Sequence, residues 1–288
     1  MTKIQIQSEE KIFSQELLFV ALCFVIAFGG FAYVLTSLPG LPPTPTCPEP
    51  PNPAASITGL LKYGLIATHV LTFVLIPLCM RVFYDGLRNL GVPQRAIFAS
   101  QLGLSFIMVA IASEIGWHVT QEWYYINEFT VLNFMFYFFL IAAFALWADG
   151  LLKETSTITK IIDVVFAVIL LVMSILYAVG ADKADDNYKI PIYVALTLVF
   201  SVLTYRGWKL LQDWRIIFFP VLSVGVNLAF IFLLDFKGSC ILPNEPRILE
   251  NALFHISHDL LGTLAGIAFF TWLMYVKAIK QPMKSASD

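Results

Sequence analysis

Largely apolar stretches about a membrane's thickness long recur along the chain, with most of the charge in the gaps between them. Eight such stretches are legible, at residues 17–38, 60–83, 96–118, 128–149, 160–180, 190–207, 215–235 and 250–276. Each is continuous rather than alternating, and a helix of about 20 residues crosses a bilayer core. Lipid offers backbone groups no hydrogen-bond partner, so continuous runs of this length predict helices rather than barrel strands. The fold class expected is therefore all-α, a polytopic membrane bundle of about eight transmembrane helices. Residues 39–57 include the proline-dense run from Pro39 to Pro53. Proline fixes φ and removes a donor, so this loop is extended. It separates the first span from the rest, which predicts one helix (1–38), the loop (39–57), a seven-helix core (58–278) and a short tail (279–288).

The charges in the gaps orient the spans. Lys3 and Lys11 precede the first, Arg81, Arg88 and Arg95 lie between the second and third, and Lys153 and Lys160 between the fourth and fifth. Arg206, Lys209 and Arg215 follow the sixth, and Lys277, Lys280 and Lys284 follow the last. These are 13 of the 18 lysines and arginines, all on one side. The positive-inside rule makes that side, and both termini, cytoplasmic. Eight crossings require the same. The leader of the first span carries Glu9, Glu10 and Glu16, and its apolar run is long for a signal peptide, so it reads as a retained helix.

Composition agrees. The chain is 58% hydrophobic, 13% charged and 15% aromatic, against about half apolar and a quarter charged in soluble domains. A net charge of −2 without a basic stripe excludes nucleic acid as a partner. The expected surroundings are membrane lipids, in a plasma, inner or endomembrane, and assembly as a homo-oligomer stays open. Cys47 and Cys240 both fall on the expected outer side, and a disulfide between them would tie the proline loop to the loop before the last span. Cys23 and Cys79 lie within spans and read as packing residues.

Candidate chemistry lies in the histidines. All four, His69, His118, His255 and His258, sit in or at the edge of a span. With the orientation above, all lie within roughly 15 Å of the outer boundary at 1.5 Å rise per residue. Residues four apart share a helix face, so Glu114 and His118 point together, as do Asn251, His255 and Asp259. Polar groups inside a span are costly and usually mark a site. Imidazole with carboxylate suits zinc, iron, copper or nickel, although no HExxH or CxxC is present. Asp163, Asn133 and Asn227 read as interhelical hydrogen-bonding residues, and the Phe-rich stretch 134–139 as lipid-facing or packing surface.

This layout resembles the CREST superfamily of seven-helix membrane hydrolases, which includes alkaline ceramidases and adiponectin-receptor-like proteins. The residues behind the resemblance are Ser113 and His118 near the outer end of one core helix, Glu128 further along, and Phe254–His255 near the start of the last. The chain departs from the family pattern in the Ser113–His118 spacing, in Asn251 where a histidine is expected, and in Glu128 for an aspartate. The resemblance implies a zinc-dependent hydrolase of a lipid amide or related acyl bond. Zinc would be held by His118, His255 and His258, with Glu114 or Asp259 as general base and Ser113 stabilising the oxyanion. Other classes remain: a b-type haem or quinone protein using His69 or His118 with His255, a transporter or receptor, for which Pro220 and Gly225 would mark a broken helix, and a non-catalytic scaffold subunit.

Overall fold

The computed structural model describes residues 60–120, 131–178, 189–225 and 263–280, together with residues 256 and 260. The first span, the proline loop, Cys47 and Cys240 lie outside the described residues. All regular structure among the described residues is helical. Five long helices come first: α1 (Leu60–Asn89), α2 (Gln94–Thr120), α3 (Val131–Asp149), α4 (Thr157–Ala178) and α5 (Lys189–Leu211). A broken segment follows, made of a 3₁₀ turn (Trp214–Ile217), the short α6 (Phe218–Pro220) and a π turn (Val221–Gly225). The last helix is α7 (Ala265–Met274), which continues as a π turn over Tyr275–Lys280. Four of these helices, α1, α2, α4 and α5, are long and apolar enough to cross a membrane.

α1 runs past its apolar stretch to Asn89 because its polar end supports itself. Arg81 pairs with Asp85 one turn on, at 2.8 Å, a favourable i, i+4 arrangement. The helix then stops in a Schellman turn. Val92 N–H donates to the Leu87 carbonyl and Gly91 N–H to that of Arg88, both at 3.0 Å. Gly91 takes φ 71°, a region in which a side chain is strained. Leu87 and Val92, the pair that such a motif brings together, are both buried. Pro93 then starts α2, its carbonyl accepting from Ala96 and Ile97. α4 begins at Ser156, whose Oγ accepts from Thr159 N at 3.2 Å, as an N-cap side chain does.

The bundle closes in register. Gly64 lies beside Ile256, Gly86 beside Met274, and Asn89 Nδ2 donates to the Ala278 carbonyl at 3.1 Å. Residue numbers rise together along both helices, so α1 and α7 run parallel, as alternating crossings require of a first and a seventh helix. The main core fills the space among α1, α3, α5, α6 and α7 with aromatic rings. Phe83, Trp147 and Phe270 are mutually in contact, with centroids 4.9 to 5.1 Å apart, and Phe219 packs on Phe270 at 5.3 Å. A smaller cluster of Ile141, Met173, Ile192 and Ala195 binds α3, α4 and α5 together. Phe134 of the Phe-rich stretch stacks on Tyr177 at 4.5 Å, so that stretch does serve packing.

Candidate functional site

Two groups of polar side chains lie within this apolar frame, toward opposite ends of α1. The first joins α1 to α2. His69 is buried, and its Nε2 lies 3.2 Å from Glu114 Oε2, with Glu114 itself mostly covered. Thr68 Oγ lies 3.5 Å from the other imidazole nitrogen. The antiparallel α1–α2 hairpin produces the meeting, because both residues stand about equally far from the turn at Gly91. The chemistry available to such a pair is to share or pass a proton and to bind a group that hydrogen-bonds both partners.

The expected site residues are placed as follows. Ser113 is buried beside Glu114 and donates to the Val109 carbonyl at 2.9 Å, its own helix taking its hydrogen bond. His118 continues the α2 backbone, but its side chain lies outside the described residues, as do His255, His258, Asp259, Asn251, Glu128 and Asn227. Asn133 stands in α3, again with a side chain outside the described set. The structure thus brings His69 to Glu114, a pairing that the helix-face reading, which set Glu114 with His118, did not contain. One imidazole and one carboxylate fall short of the three protein ligands usual for a catalytic zinc. Among the described residues no three His, Cys, Asp or Glu side chains lie close enough to hold a metal.

The second group lies at the other end. Arg206 of α5 is buried, and its Nη1 donates to Asp149 Oδ1, at the end of α3, at 2.5 Å. Asp163 of α4 interacts with both Asp149 and Arg206, so one guanidinium and two carboxyl groups join three helices. Close by in sequence, Asp213 caps the 3₁₀ turn by accepting from Arg215 N at 3.0 Å. It also receives Arg215 Nη2 at 2.6 Å and Lys277 Nζ at 3.0 Å. Hydrogen bonds from Arg215 above all, with Lys277 adding to them, hold the Asp213 carboxyl well below the usual carboxylate range. Asp213 is therefore an ionised clasp between the broken segment and the end of α7. Arg206 stands inside the apolar stretch 190–207, and a charge within a span needs a partner. That signal was present in the sequence. Asp213 carried none, because an aspartate in a polar gap looks solvated.

The His69–Glu114 pair makes a first test. Glu114→Ala leaves a buried imidazole without the carboxylate beside it and lowers stability by about 1–3 kcal/mol. His69→Phe with Glu114→Leu removes both polar groups and restores most of the loss. Thermal unfolding of the detergent-solubilised protein measures both. A double variant no more stable than Glu114→Ala would show that the pair is not coupled.

The sequence model of a protein family described as "Seven transmembrane receptor" matches residues 61–280. The matched stretch starts in α1 and ends with the turn after α7. No curated protein and no solved structure matches the chain.

Proposed function

Because the chain belongs to this family of seven-transmembrane receptors, we propose that it is a non-catalytic membrane receptor, with the buried His69–Glu114 pair binding a small hydrogen-bonding ligand. The observation that carries this reading is the buried imidazole–carboxylate pair between α1 and α2, within the matched region. An ionisable pair inside a membrane bundle is expensive and marks function by default. A ligand that binds both partners would bias the packing of α1 on α2, and α1 reaches the opposite end of the bundle through Asn89 and Ala278. Lys277, beside Ala278, pairs with Asp213, so the same helix end connects the pair to the Asp213 clasp.

The hydrolase reading places zinc on His118, His255 and His258, with Ser113, Glu114 and Asp259 in catalysis. The haem reading uses His69 or His118 with His255. One set of measurements separates the three. Purified protein is screened by thermal shift against free amino acids, amines and carboxylic acids, and its metal content and visible absorption are recorded. The receptor reading expects a compound that stabilises the chain, by about 2.7 kcal/mol at a hundred times its Kd, and that loses this effect in His69→Phe. Stoichiometric zinc that disappears in His255→Ala together with lipid-amide hydrolysis would replace it with the hydrolase. A Soret band would replace it with the haem protein.

A further inference from the structure

One flank of the bundle, between the end of α5 and α7, combines exposed rings with excess positive charge. Trp214 is 68% exposed, and Phe218, Trp272 and Tyr275 are exposed with it. The rings form a ladder: Trp214 to Phe218 at 6.0 Å, Phe218 to Phe269 at 5.7 Å, and Phe269 to Trp272 at 5.6 Å. Cations stand at its polar end. Arg215 lies over the Trp272 ring, 5.5 Å from its centroid. Lys209 lies 5.2 Å from the Trp208 centroid and 5.6 Å from that of Tyr205. Lys277 and Lys280 follow on the turn after α7. Against these four cations the described residues of this flank set one carboxylate, Asp213, which fixes Arg215 and Lys277 in place.

We propose that this flank is a binding site for a net-anionic phospholipid, its phosphate held by Arg215 and Lys277 between Trp214 and Trp272, and an acyl chain laid inward over Phe218 and Phe269. Three considerations favour lipid over a soluble anion. Tryptophan rings belong at headgroup depth, and stacking on Trp272 holds the guanidinium at that depth. The exposed surface continuing from the cations is apolar, which suits a chain and not a free ion. The excess of cations repels the ammonium of a zwitterionic headgroup and so selects lipids without one. Arg215 gives Nε and Nη2 to Asp213, which sets the guanidinium plane before any lipid arrives and lowers the ordering cost of binding. The positive-inside expectation puts this end in the cytoplasmic leaflet, where anionic lipids and basic juxtamembrane residues meet. The site is independent of the receptor reading.

The test uses the full chain in mixed micelles with equimolar phosphatidylglycerol and phosphatidylcholine, with retained lipids counted by native mass spectrometry. The wild type is expected to retain phosphatidylglycerol by about tenfold over phosphatidylcholine, as one to two basic contacts allow. Arg215→Gln with Lys277→Gln brings the ratio close to one. Lys209→Gln with Lys280→Gln leaves the Asp213 clasp intact, lowers the ratio several-fold, and carries the test if the first variant does not fold. Arg88→Gln with Lys153→Gln, at the same end but on α1 and in the turn between α3 and α4, leaves the ratio unchanged. Equal retention of both lipids by the wild type overturns the proposal, showing interfacial anchors only. An equal fall in the Arg88/Lys153 variant overturns it in favour of diffuse surface charge. Displacement of the lipid by millimolar inorganic phosphate overturns it in favour of a soluble anion.

Discussion

Gly103→Ala and Gly150→Ala each cost about 3 kcal/mol or more, the upper end of what overpacking does, and larger side chains at either position leave no monodisperse protein. A Cβ on Gly103 would stand 2.6 Å from the Ala143 carbonyl oxygen and 2.7 Å from Trp147 N. A Cβ on Gly150 would stand 2.7 Å from Ser100 N and Cα. These are backbone atoms, so no side-chain rotation relieves the overlap and α2 must move off α3. Within lipid, helices gain little by hiding apolar surface from one another and associate by close packing, which small residues permit. Moving the two helices apart also loosens Leu104, Ile107 and Trp147, all fully buried. Gly116→Ala is the matched control on the same helix. Among the described residues its Cβ would meet the Leu132 side chain, at 3.8 Å, and removing a helical glycine stabilises by roughly 0.5–1 kcal/mol. Thermal unfolding and size exclusion in one detergent compare the three. A Gly103→Ala protein that melts with the wild type would show that α2 and α3 are not held in backbone contact.

Helix positions were largely legible because lipid imposes length and continuity. The apolar stretch at 160–180 becomes Thr157–Ala178, and that at 96–118 becomes Gln94–Thr120. The misses have local causes. α1 outruns its apolar stretch because the Arg81–Asp85 pair supports a polar last turn. The stretch at 215–235 opens as three short helical pieces around Pro220, which has no N–H to continue an α-helical ladder. Pro220 and Gly225 were the visible sign of that break. The crossing at Gly103 and Gly150 left no comparable sign, since a glycine within an apolar run or just past its end looks the same whether it faces lipid or a neighbouring backbone.

The candidate site was legible in its residue types and not in its pairings. Face arithmetic along one helix set Glu114 with His118, because residues four apart share a side. Partners across helices depend instead on where the connecting turn fixes the register. The turn at Gly91 does so for α1 and α2, and it delivers His69 to Glu114. Asp163 was expected to join helices and does so, through Asp149. Arg206 was counted among the gap charges that orient the spans, a use of its sign that overlooked its place inside an apolar stretch.

That place makes Arg206→Met the second large effect, a loss of about 3–5 kcal/mol, as when one partner of a buried ion pair is removed. The guanidinium is almost wholly enclosed, and its contact carboxylate on Asp149 is less than a third exposed. Without it, Asp149 and Asp163 remain side by side with no cation between them, and α3, α4 and α5 lose their common anchor. Arg206→Lys recovers part of the loss, since it keeps the charge but not the planar fork that a guanidinium offers a carboxylate. Arg206→Met with Asp149→Leu and Asp163→Leu brings stability back to about that of the wild type, because the cost of desolvating these polar groups offsets most of their mutual attraction. The order expected in unfolding experiments is therefore wild type and triple variant together, Arg206→Lys below them, and Arg206→Met lowest. High salt leaves that order intact, since screening reaches exposed charges far more than enclosed ones. If Arg206→Met unfolds with the wild type, the three helices are held by their apolar contacts alone, and the charge cluster has no part in closing this end of the bundle.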